Sequence, residues 1–128
     1  MALSVEQKIL IEQRIANDGK STLVAYILWF FFYGLGAHRF YLGYTKSAFA
    51  ILLLSVIGLI LAAWGTYAMH TTIHETLDTS ASLVFLTGFA LLGLVFLWAV
   101  IDAFLIPGMV RNNRNKMREQ LTKYYRKS

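Results

Sequence analysis

Asp102 is the one charged residue in a twenty-six-residue apolar run, Ala81 to Ile106, and that isolation constrains the chain more than any other feature. A carboxylate at the centre of a membrane span costs roughly 2.5–3.5 kcal/mol, less near an interface, and normally finds a partner or water. Asp102 lies four residues from the end of its run, about 6 Å along a helix. The natural partner is Arg39, which stands beside His38 just beyond an uncharged stretch, Leu23 to Ala37. Pairing them puts the foot of the last run beside the 38–46 loop. The other arrangement has each charge reaching water on its own.

The remaining chain makes a bilayer the expected solvent. Hydrophobic residues are 57 % of 128 residues and come in long blocks, not in alternation, so a single all-α integral membrane domain is predicted. It has three membrane-embedded helical segments, at about 22–37, 48–69 and 81–106. The block Leu23 to Ala37 would extend only about 22 Å as a helix, against a hydrocarbon core of roughly 30 Å. It must either borrow Phe40 to Leu42 as interfacial length or dip in and return. The second, at about 33 Å, is long enough to cross, and the third, at about 39 Å, should cross tilted. Pro107-Gly108 is expected to end the third helix. Ahead of the membrane domain (residues 20–110), residues 1–19 form a polar segment. In it Ser4 and Gln7 have capping-box spacing and Asn17-Asp-Gly19 reads as a stop, which predicts a short helix over 4–17. No apolar run suited to a cleaved leader is expected there.

Charge sets the orientation. The 38–46 loop carries Arg39 and Lys46 without an acid, whereas the 70–80 loop carries Glu75 and Asp78 without lysine or arginine. The tail, residues 111–128, has seven basic residues against Glu119. A cytoplasmic tail and 38–46 loop obey the positive-inside bias. Three crossings would put the N-terminus outside, and a re-entrant first block would keep it inside. Val110, Met117, Leu121 and Tyr124 recur at helical spacing among the tail's cations, predicting a basic amphipathic helix along the inner membrane face. There Arg111, Arg114, Lys116, Arg118 and Lys123 would meet anionic lipid, and nucleic acid is not needed to explain them.

Little in the chain points to catalysis. No nucleophile and base stand at recognisable spacing, and no glycine loop suits a phosphate. Without cysteine there is no thiolate site, and no cofactor is expected. His70, His74 and Asp78 at i, i+4 and i+8 have the ligand types for zinc, although an exposed polar turn is the preferred reading and no metal is expected. Gly58, Ala62 and Thr66 make a small-residue face for close helix approach, and Gly88 and Gly93 a weaker one. The dense aromatics from Tyr26 to Tyr33 read as a bulky packing face.

These stretches resemble the TM-two (two-transmembrane) domain family. The resemblance lies in Lys20 to Phe30, in Gly34 to Gly43, and in Trp98 to Val110; its motif residues here are Gly36, His38, Arg39, Phe40, Tyr41, Gly43, Trp98, Asp102, Pro107 and Gly108. His38 stands where animal members carry aspartate, which is similar to the bacterial form. The resemblance implies a small module of the bacterial inner membrane, discussed for animal members in signalling or trafficking, and supplies no substrate. The expected protein is therefore non-enzymatic, multi-pass and cytoplasmic at its C-terminus. It would associate through its spans with itself or a membrane partner, and touch lipid with its tail. An oligomeric channel or transporter is the alternative, disfavoured because the spans lack a polar face.

Overall fold

The computed structural model describes residues 2–71 and 79–128, in which every regular element is helical. The elements are α1 (Val5–Asp18), α2 (Thr22–Phe32), a 3-10 turn (Tyr33–Leu35), α3 (Ala37–Tyr41), α4 (Thr45–Thr71) and α5 (Thr79–Lys127). The capping box of α1 forms as expected: Ser4 Oγ accepts from Gln7 N at 3.1 Å and Gln7 Oε1 from Ser4 N at 3.0 Å.

Among the described residues, two helices, α4 and α5, are long and apolar enough to cross a bilayer. They lie antiparallel, and small residues bring their backbones together. A Cβ on Gly88 would stand 2.8 Å from Gly58 O, and one on Gly65 would stand 2.5 Å from Phe85 N. Side chains at those positions would hold the helices apart, so the face that starts at Gly58 and Ala62 is spent inside the chain. Gly93, by contrast, has nothing within 4 Å of such a Cβ.

The first apolar block is not a third crossing helix. Its helix stops after eleven residues, about 16 Å. Tyr26, Trp29 and Tyr33 meet Ala103, Ala99 and Phe96 of α5 in that order, so α2 runs antiparallel to α5. The chain then reverses through Gly36, at φ +66°, where a Cβ would also lie 3.0 Å from the Ala48 carbonyl oxygen. Coming back along α3, it returns Tyr41 to the start of α2, where the Tyr41 hydroxyl accepts from Ser21 N at 2.9 Å. Residues 21–44 thus form a hairpin with both feet at one end of the α4–α5 pair. Of the two routes open to a block this short, the fold matches the one that turns back on itself.

α5 also departs from expectation, because Pro107 does not end it: the helix continues to Lys127. A proline inside a helix leaves the carbonyl four residues earlier without its amide donor. Here that carbonyl, on Ala103, accepts from the Tyr26 hydroxyl at 2.8 Å. The bond lost to the ring is replaced from α2, and the helix tolerates the proline. The tail is therefore a continuation of the span. Val110 is buried and Met117 and Leu121 are half-buried, while Tyr124 is exposed. Among the described residues α1 packs only against α5, burying Ile11 and Ile15.

Candidate functional site: a buried ion cluster

The reversal at Gly36 starts α3 at a depth where two adjacent side chains reach one carboxylate. Arg39 Nε donates to Asp102 Oδ2 at 2.7 Å, and Arg39 Nη2 donates to Asp102 Oδ1. The fork is the bidentate geometry that guanidinium and carboxylate share. On the other side, His38 Nε2 lies 2.7 Å from Asp102 Oδ2. The carboxylate has only lone pairs to offer there, so the ring hydrogen sits on Nε2. Asp102 and His38 are fully buried, and Arg39 nearly so.

Further contacts hold the guanidinium in place. Arg39 Nη1 donates to Ser47 Oγ at 2.8 Å, whose hydroxyl donates to the Tyr44 carbonyl at 3.0 Å, and the Trp98 ring lies 5.4 Å from Arg39 Cζ. The charges of Arg39 and Asp102 cancel inside the fold. Such a pair is costly to dehydrate and costlier still to break, because removing one partner strands the other. Its mechanical role is that of a clamp: it ties α3 to α5. His38 Nδ1 and Ser55 Oγ are buried with no hydrogen-bond partner among the described residues.

The other motif residues serve the same hairpin. Phe40 packs edge to face on Phe49 at 5.0 Å, and Lys20 lies 4.7 Å above the Tyr41 ring. Gly43, at φ +86°, turns the chain into α4. Pro107 sits within α5 beside the Tyr26 contact, and Gly108 has nothing within 4 Å of an added Cβ.

At the basic end, several of the cations expected to face lipid also hold protein groups. Arg118 binds Glu12 through two bonds, of 2.8 and 3.1 Å, and Arg114 Nε donates to the Lys20 carbonyl at 3.2 Å. Lys123 pairs with Glu119 at 2.9 Å, Lys116 lies 6.0 Å from the Tyr44 ring, and Arg111 is exposed. Hydrogen bonds from Arg118 hold the Glu12 carboxyl below its usual range, and Lys123 does the same for Glu119. Of the histidine and aspartate set, His70 is exposed at the end of α4, while His74 and Asp78 lie outside the described residues.

The Arg39–Asp102 pair was legible in the sequence; three contributors were not. His38 joins the same carboxylate, Ser47 takes the spare guanidinium nitrogen, and Trp29 Nε1 donates to the Ala99 carbonyl at 2.7 Å, one turn from Tyr26's bond. No spacing pointed to these three; Pro107 signals only Tyr26, because its ring frees the Ala103 carbonyl, which must find a donor inside an apolar segment.

The family model of the TM2 domain matches residues 18–67. The match takes in the hairpin, the glycine-bounded motif and most of α4. Trp98 and Asp102 lie beyond it, yet the fold brings both to Arg39. No curated protein and no solved structure matches the chain.

Proposed function

From a membrane protein that carries a TM2 domain at residues 18–67, we propose a non-enzymatic module of the inner (plasma) membrane, with both chain ends in the cytoplasm. In this reading α4 and α5 cross the bilayer and the hairpin of residues 21–44 enters from the cytoplasmic side and returns. The outward faces of α4 and α5 associate with another membrane protein or a second copy, and the tail's cations hold anionic lipid headgroups.

The observation that carries the reading is the clamp of Arg39 and His38 on Asp102. It keeps the hairpin folded back, so α1, the 38–46 loop and the cationic tail share one end of the α4–α5 pair. That end holds the basic excess, and the positive-inside bias then assigns it to the cytoplasm. The large apolar residues exposed along both long helices support contact with lipid or other spans; Phe104, at 82 %, is the most open of them.

The absence of cysteine makes the topology directly testable. Single Val5→Cys, Ser128→Cys and Thr79→Cys chains in sealed membranes should label with an impermeant maleimide so that positions 5 and 128 react from one side and 79 from the other. Labelling of positions 5 and 128 from opposite sides would refute the arrangement. For the tail, protease protection of residues 111–128 in nanodiscs should be greater with anionic than with zwitterionic lipid and fall with added salt.

A further inference from the structure

The hairpin and the two crossing helices differ in reach. At the hairpin's tip Tyr33 meets Phe96 with ring centroids 6.4 Å apart, and Gly34 faces Ser55. Ser55 is ten residues into α4, about 15 Å from its start, or half of a hydrocarbon core of roughly 30 Å. From there to Thr71 α4 runs sixteen more residues, about 24 Å, beside α5 alone. Among the described residues, the cross-section near the basic end therefore holds α2, α3, α4 and α5, and the far half holds only α4 and α5. The tip adds width as well, because Phe30 and Phe31 point outward at 69 % and 68 % exposure.

We propose that the protein is a membrane wedge, which occupies more area in the leaflet holding the hairpin than in the opposite one and so concentrates where that leaflet is convex. Excess volume in one leaflet crowds its lipids when the bilayer is flat, and bending toward that side relieves the crowding. Segments inserted into one side of a bilayer are sensitive to its curvature for this reason. The wedge keeps its shape because the hairpin is fastened by the Gly36 turn, the Asp102 clamp, the bond from Ser21 to Tyr41 and the bonds of Tyr26 and Trp29 to α5. The inference rests on the membrane embedding and the hairpin, and not on the tail's affinity for anionic lipid.

The test uses the full chain, labelled at Ser128→Cys, in giant vesicles of phosphatidylcholine alone, so charge attraction to lipid has no part in the result. Tubes are pulled outward, and the protein density on the tube is divided by that on the flat membrane; an impermeant quencher reports which side the label faces. With the basic end outside, the ratio should rise above one as the tube narrows. With the basic end in the lumen it should fall below one. Equal densities, or a change of the same sign in both orientations, would overturn the proposal. The double variant Phe30→Ala, Phe31→Ala trims the tip without touching the buried cluster, and should flatten both slopes. Unchanged slopes in that variant would also refute the hairpin as the source of the wedge.

Discussion

The two halves of the α4–α5 pair are held by different physics. Near the basic end, directional bonds converge from the hairpin onto α5: Tyr26 to Ala103, Trp29 to Ala99, and His38 with Arg39 to Asp102. In the far half the helices meet through shape, with Gly58, Gly65 and Gly88 letting one backbone seat against the other. In lipid, apolar side chains gain little by leaving their solvent, so helices associate through close packing and polar contacts. This chain uses the first where only two helices meet. It uses the second where a short segment must be held in a folded-back path.

The largest effect should come from stranding a charge in the bonded half. Asp102→Ala leaves Arg39 buried without its counter-ion and should cost about 3–5 kcal/mol of stability. Equilibrium unfolding in mixed detergent micelles would read the loss, and pairing it with Arg39→Met should recover a large part of it. A neutral double variant as unstable as Asp102→Ala would show that the pair does not act as a unit. In the far half, Gly88→Leu pushes against backbone and should cost about 1–3 kcal/mol. Gly93→Ala, which meets nothing, should be neutral or stabilising by less than about 1 kcal/mol. Equal effects at the two glycines would show that close backbone approach is not what holds the far half.

Smaller consequences follow from single bonds. Tyr26→Phe removes the donor on the Ala103 carbonyl and should cost about 1 kcal/mol. In a Pro107→Ala background, where residue 107 regains an amide hydrogen, the same change should cost less; a double-mutant cycle measures the coupling. The least effect belongs to the exposed Glu12–Arg118 pair between α1 and the tail. Since Arg118 lowers the folded-state pKa of Glu12, its contribution is present above the carboxyl's ordinary value and is lost as pH falls through the lowered one. Protection of the α1 amides, relative to their intrinsic exchange rates, should therefore fall as pH drops below the ordinary carboxylate range and be lower at neutral pH in Glu12→Gln. Exchange that ignores both changes would assign the docking of α1 to Ile11 and Ile15 alone.

How much of this was legible varied with how local the cause is. The start of α1 could be read from four residues, because a capping box is satisfied within one turn. The Arg39–Asp102 pairing could be inferred from isolation, since lone charges in apolar sequence need partners. Pro107 misleads for the complementary reason. The rule that proline ends a helix assumes no outside donor, and Tyr26, 81 residues earlier in the chain, provides one. His38 was hidden because neighbours on a helix point about 100° apart. Both can reach one carboxylate only when α3 is set at one distance and rotation against α5, which spacing does not reveal. Gly65 is a further case, as its importance depends on Phe85 lying across from it.

From the sequence alone came the solvent, the helical class, the basic end and the shortness of the first apolar block, because each follows from composition, charge or the rise per residue. The tertiary structure alone decided that this block turns back instead of crossing, that α5 passes through its proline, and that a histidine completes the ion cluster. Those outcomes depend on donors and carbonyls brought together from distant parts of the chain, and no local pattern records which of them will meet.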